Sequence, residues 1–548
     1  MLHFRTLFFL LLTSLGTFSL SAQSNIDVEA GGEVHKIEIL EADYLEGIRK
    51  NGTDIKILVG NVILKQNNTL MFCDSAVLHS SDNNVRAYGD IFINQGDTIK
   101  AWGDSLSYFG DDEIARLMSN VVLTDNSMEL RTEDLDYNLK SRIARYRQGG
   151  EFNNKETVLT STYGYYYAAP QICYFRDSVV LNHPKYILQA DTLEYHVQSD
   201  IAYFHGPTDI FHQNNSVYCE GGSYDGQSAI AIFTDNAVLN EPPRTIAGDS
   251  IVYDQNTGIG KAWYNVTFID TVENIIQESE YAEYYEESGE LLSTERSIIT
   301  YIIDGDSLYI SGDTVKSSID SLGNRELLVD GDVRVYKSDM QIICDSMLWK
   351  DADSSIYLFT DPVLWAQDYQ FTGDTIIIKM KDQKLNAIEL LRNAFLIGNP
   401  DTLIYNQVKG RYIYGYLRDN EIKRMKVFGN GESIYYADDD EKGYFGMNQS
   451  VSSDISIRFN DKKVDRISFI SNPDATLFKM EGLDNNSKRL DGFNWREDEQ
   501  PKSKEDLLTK PKVIVVGELE QENSEETDNS EALEDNGDSD LIVSPIEK

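Results

Sequence analysis

Carboxylates recur along this chain at a near-constant interval, and paired carboxylates are the equipment of glycoside cleavage. The clearest stand at the head of short motifs that end in an aromatic or apolar residue. These are Asp104-Ser105-Leu106-Ser107-Tyr108, Asp191-Thr192-Leu193-Glu194-Tyr195 and Asp249-Ser250-Ile251-Val252-Tyr253, then Asp345-Ser346-Met347-Leu348-Trp349 and Asp374-Thr375-Ile376-Ile377-Ile378. A polysaccharide-acting enzyme on a stacked β-helix would carry such acids with Lys or Arg on an outer face. The chain holds 91 Asp and Glu, so acidic pairs arise by chance and no catalytic residue is assigned. The regular recurrence reads better as turn or strand-edge positions. His183, His196, His205 and His212 lie close in sequence, but their separations fit no zinc pattern, and no metal site or cofactor is expected. Phosphate-binding glycine loops and the Gly-x-Ser-x-Gly nucleophile motif are absent from the sequence. Four cysteines, Cys73, Cys173, Cys219 and Cys344, are too few for a disulfide scaffold; a Cys173–Cys219 bridge stays open.

The interval itself defines the elements. Weaker copies anchored at Asp74, Glu133, Thr162, Glu220, Glu280 and Asp313 fill the gaps between the clear ones. Successive anchors from Asp74 to Asp374 then lie 30, 29, 29, 29, 29, 29, 31, 33, 32 and 29 residues apart. A period that steady marks stacked structural units. Each unit carries a second apolar element before its anchor, as in Asn61-Val62-Ile63-Leu64, Asp90-Ile91-Phe92-Ile93 and Asn120-Val121-Val122-Leu123. Apolar residues recur at i and i+2 in both elements, the period of a β-strand with one inward face. Gly, Asn and Asp separate the strands, so a unit reads strand, turn, strand, turn. A two-strand unit cannot bury its inward face alone. Stacking joins those faces into one apolar trough, with Leu64, Ile93 and Leu123 expected on one wall. Leu106, Tyr108, Leu193, Tyr195, Ile251, Tyr253, Met347, Trp349, Ile376 and Ile378 are expected on the other.

Composition agrees with an all-β chain: 32 Tyr and 22 Phe favour strands, and 11 Pro in 548 residues leave the ladders uninterrupted. The net charge of −42, with no basic stripe, excludes nucleic acid as a partner and argues against docking on an anionic membrane by charge. The start, Met1-Leu2-His3-Phe4-Arg5 with an apolar run to Leu20 and small residues after it, reads as a secretory signal peptide over 1–23. No later segment reaches the roughly 18 apolar residues of a membrane-spanning helix. The domain reading is an N-terminal repeat domain over 24–200, a second repeat region over 201–385, degenerate repeats over 386–496 and an acidic, disordered tail over 497–548.

The pattern Gly60-Asn61-Val62, Cys73-Asp74-Ser75-Ala76 and Asn84-Val85-Arg86-Ala87-Tyr88-Gly89-Asp90-Ile91 resembles the OstA-like (organic solvent tolerance) domain of the LptA family. The stretches Val427-Phe428-Gly429-Asn430-Gly431 and Ile467-Ser468-Phe469-Ile470 look like the longer OstA-family proteins of the Bacteroidetes lineage. The resemblance covers about residues 35 to 480. It implies a twisted β-jellyroll or β-taco, a sheet pair holding the lipid A acyl chains of lipopolysaccharide. It further implies a place in the periplasm, in association with the outer membrane, and partners of the same fold joined by edge-strand addition. The expected function is lipopolysaccharide transport without catalysis. A lipid-free scaffold for outer-membrane assembly and the polysaccharide-acting enzyme are the rival readings.

Overall fold

The computed structural model describes residues 35–508, apart from 51–52, 97, 126–127, 155–156, 185, 304–305, 382–383, 402–403, 419–420, 440–442, 461–462 and 481–488. The expected signal peptide and everything beyond residue 508 lie outside the described residues.

The described chain forms 34 strands, all pairings antiparallel, in one hydrogen-bonded sheet. Over most of the length each strand pairs with the next in sequence, so the fold is a long meander. The alternation read from the sequence is what the strands use. In Thr69–His79 and Ile99–Phe109 buried residues recur at every second position towards both ends of each strand. Cys73, Cys173, Cys219 and Cys344 are all buried free thiols, so the Cys173–Cys219 bridge left open above is not formed. They sit on separate strands as small inward residues, and burial pushes the Cys73 and Cys219 thiols up to about 11.

Midway along each long strand the ladder slips, for example between Val59 and Val62, Phe72 and Ser75, and Tyr88 and Ile91. At that slip two consecutive residues on alternate strands turn left-handed: Gly60 (φ 80) with Asn61 (φ 46), Gly89 (φ 78) with Asp90 (φ 39), and Asp235 (φ 58) with Asn236 (φ 61). A bulge of this kind bends its strand, and Gly, Asn and Asp tolerate the left-handed region best. The recurrent acids stabilise the bend. Asn61 Nδ2 donates to Asp43 at 3.0 Å, Asn120 to Asp104 at 2.7 Å, Asn265 to Asp249 at 3.0 Å and Asn393 to Asp374 at 2.9 Å. These are charge-assisted bonds at a repeated position. The anchors therefore hold a crease, and the unit expected as two strands between turns is a pair of antiparallel strands, each folded into two halves. The halves line up as two walls.

The interior is filled by three apolar clusters. The first runs from Ile37 to Ala282, the second from Ile275 to Phe459, and a small third one joins Phe395, Ile434 and Met447 to Leu490. Order continues past Glu497, where the acidic composition begins. Residues 489–508 cross the outer face of one wall, with short 3-10 turns at Glu497–Glu499 and Glu505–Leu507. Gln407 accepts from the Leu490 N–H at 2.8 Å, and Gln370 brackets the strap by donating to the Asn494 carbonyl (2.7 Å) and accepting from the Arg496 N–H (2.8 Å).

Candidate functional site: a trough between two creased walls

Cross-strand pairing places the expected residues in rows. Leu64 faces Met71, Met71 faces Ile93, Ile93 faces Ala101 and Ala101 faces Leu123, one continuous ladder on the first wall. Leu106, Leu193, Ile251, Met347 and Ile376 lie on the inner row of the second wall, paired respectively with Ala87, Phe175, Phe233, Val329 and Leu358. Tyr108, Tyr195, Tyr253, Trp349 and Ile378 lie one row nearer the mouth, two residues further along the same strands. These residues do not converge on one spot. Leu64, Ile93, Leu106, Tyr108, Leu123, Leu193 and Ile251 are buried in the first cluster, with Tyr195 packed against it; Met347, Ile376 and Ile378 belong to the second, with Trp349 against it. Tyr253 is buried as well.

The mouth row alternates large and small. Tyr108, Tyr137, Tyr166, Tyr195, Tyr224 and Tyr253 are separated across the sheet by Ala115, Ala144, Cys173, Ala202 and Ala231. Each phenol thus lies beside small residues, which lets the rings pack without strain. In the N-terminal units the hydroxyls reach across the mouth. Tyr108 donates to Gln66 Oε1 at 2.5 Å, and Gln66 Nε2 returns a bond to the Gly110 carbonyl at 2.8 Å. Tyr137 repeats this with Gln95, and Tyr166 donates to Asp125. Burial raises all three phenols well above their ordinary value, so they remain donors at any physiological pH. Further along, Tyr195 bonds Asp200 (2.9 Å) and Tyr253 bonds Glu286 (2.7 Å), turn residues on their own wall. The latches Gln66, Gln95 and Asp125 were missed from sequence, although they too recur at the repeat interval; polar residues beside a turn carry no signal of a partner about 42 residues away.

Where the cross-mouth latches end, the walls part. On the first wall Leu181, Ile210, Leu239, Ile246 and Phe268 are partly exposed, the first three alternating with buried Leu188 and Val217, between Leu159 (3 %) on one side and Ile299 (1 %) on the other. A cavity of about 130 Å³ lies there, with Leu239, Ile246, Phe268 and Ile275 on the first wall facing Leu291 and Leu327 on the second. Its rim carries the Arg244–Asp270 ion pair at 3.1 Å. Burial alone would raise the Asp270 carboxyl, but the N–H groups of Glu273 and Val272 and the Arg244 guanidinium hold it below the usual range. The Tyr301 and Trp349 rings, tilted 38° to each other with centroids 5.1 Å apart, close the mouth again. Among the described residues no three His, Cys, Asp or Glu converge as a metal site; His196 and His205 flank Glu194 alone, and no helix is long and apolar enough to cross a membrane.

The class these features define is a β-meander creased into a two-walled apolar trough. Residues 34–191 and 186–249 match the family model described as OstA-like protein, so this stretch of the chain is OstA-like. An OstA-like domain supports a role in lipopolysaccharide and lipid transport, and the family is one of transport and binding rather than catalysis. No curated protein matches the chain.

Proposed function

We propose that the chain carries lipopolysaccharide through the periplasm, with the acyl chains of lipid A covered between the two walls. The observation that carries this reading is the apolar ladder of the first wall, which is sealed at Leu64, Ile93 and Leu123 and partly exposed at Leu181, Ile210, Leu239, Ile246 and Phe268. Each methylene removed from water is worth about 0.8 kcal/mol, so several acyl chains in solution would cost tens of kcal/mol. A ladder of near-equivalent apolar positions removes that cost and lets the lipid move along it. The two edges of the sheet fit a bridging role. Tyr44–Lys50 pairs only with Thr53–Gln66, and at the other end Lys463–Ile470 pairs only with Gly443–Asn460 among the described residues. Unpaired strand edges accept further strands, here from other OstA-fold proteins, towards the outer membrane. The net charge of −42 leaves the acyl chains, not the phosphates, as the part to be gripped.

The test is photo-crosslinking in cells with a benzophenone side chain at Tyr195 or Tyr253, and at Leu123 for comparison. Capture of lipopolysaccharide from the first two positions and not from Leu123 is the expected result. No capture at any of the three refutes the carrier reading.

A further inference from the structure

Two cavities meet at the place where the walls part, and they differ in chemistry. The apolar one described above, about 130 Å³, is continuous in its lining with a polar pocket of about 370 Å³ at the mouth; Tyr301, Arg325 and Leu327 line both. The polar pocket adds Glu273 and Asn274 from the first wall's turn, and Trp349, Asp351 and Ser354 from the second wall. Tail space and head space therefore adjoin across three shared side chains. We infer that this junction seats a single amphiphile, an acyl tail between Leu239, Phe268 and Leu327 and a hydroxylated glycosyl head against Glu273, Asn274, Arg325 and Asp351. The inference rests on the carrier reading and specifies where, and by which chemistry, a glycolipid is held.

The head is assigned from charge and donor count. Two carboxylates face one guanidinium, so the pocket is net negative and repels a bare phosphate. Sugar hydroxyls suit it: they donate to Glu273 and Asp351 and accept from Arg325 and Asn274, while the Trp349 ring offers an apolar face of the kind a pyranose covers. Burial holds the Asp351 carboxyl somewhat above its usual value, a cost that hydroxyl donors would relieve. The junction also contains its own hinge. Arg325 Nη2 meets Glu273 Oε1 at 3.7 Å across the mouth, and both side chains are solvent-accessible. A pair this long and this wet is weak. An apolar cavity of about 150 Å³ is known to take up benzene, so the tail space admits a short run of hydrocarbon as it stands. Longer chains require the walls to separate, and the Arg325–Glu273 contact is what gives way.

The test uses the full chain, purified, with monophosphorylated lipid A, diphosphorylated lipid A and myristic acid as probes. Asp351→Asn and Glu273→Gln keep the side-chain shapes and remove the acceptor charge. The double variant is expected to weaken monophosphorylated lipid A on the order of tenfold and to leave myristic acid unchanged. The unmodified chain is expected to prefer the monophosphorylated lipid, and the double variant to lose that preference. Leu239→Trp, which fills the tail space, is expected to abolish binding of all three. Glycolipid affinity that is indifferent to the double variant, with myristic acid still bound and still blocked by Leu239→Trp, overturns the head seat and leaves the carrier reading standing. Failure of all three probes to bind the unmodified chain overturns both.

Discussion

Asp136 shows how one side chain can bind strands together. It lies on Glu129–Asn138, directly across from Arg116 on one neighbour and Arg145 on the other. Arg116 Nε reaches it at 2.7 Å, Arg145 Nη2 at 3.1 Å and Arg147 Nη2 at 3.2 Å, and its own side chain is only 6 % exposed. Burial alone would raise this carboxyl, but the guanidiniums outweigh burial and lower it below the ordinary 3.8. A carboxyl with a depressed folded value contributes stability that is present above the unfolded value and is lost as pH falls through the folded one. Asp136→Asn is therefore expected to cost about 2 kcal/mol at neutral pH, the lower part of the buried-pair range because the arginines are solvent-accessible. The deficit should shrink from pH 4 downwards, where the unmodified protein loses the same charge. Urea unfolding of both proteins between pH 7 and pH 2 measures it; a deficit that stays constant over that window contradicts the assignment. Such residues were only half legible. The aromatic and aliphatic positions announced themselves by period two, so Leu106, Tyr108, Leu193 and Tyr253 could be placed on an inward face. Asp136 and Gln66 were invisible, because a polar residue in a strand looks the same whether it meets water or three arginines.

The crease is the property of the element. A strand of 11 to 14 residues crosses from one wall to the other without ending, and the sequence period registers its recurrence but not its geometry. Gly, Asn and Asp were read as separators between strands, correctly at Asn67 and Asp111-Asp112. At Gly60-Asn61 and Gly89-Asp90 the same residue types bend a strand that continues. The distinction lies in the ladder: pairing resumes beyond the slip with the same neighbour, which no local composition can express. Gly89 tests the account. Its φ is +78, and a Cβ there would run into the Asp74 carboxylate that packs beneath the bend. Gly89→Ala is expected to cost about 1–3 kcal/mol. Gly47→Ala, on an edge strand where a Cβ meets nothing within 4 Å, is the matched control and is expected to be close to neutral. Thermal melts of the two variants decide this, and equal shifts in both would show that the left-handed crease is not what the glycine serves.

At the scale of the whole molecule, a meander in which each strand touches only strands a few places away is close to one-dimensional, and long arrays of that kind lose two-state cooperativity. The strap of residues 489–508 works against that loss in the C-terminal half. From Gln407 it runs back past Gln370 and Gln341 to Arg334 and Glu278, linking strands far apart in the meander. From Glu497 onward its acidic composition gave no sign of order, because what orders the strap is a row of buried glutamines 83 to 159 residues earlier in the chain. Gln370 and Gln407 are fully buried, and their amides bond the strap's backbone. The N-terminal cluster has no contact of this kind among the described residues. Calorimetry of the full chain should therefore resolve two transitions. Deleting residues 489–548 should lower the one that belongs to the cluster from Ile275 to Phe459 and leave the other in place, and Gln370→Ala should move the same transition in the same direction by less, since it removes two of the strap's hydrogen bonds at about 1 kcal/mol each. If the deletion shifts both transitions equally, the strap is a tie for the entire meander and the two apolar clusters unfold as one.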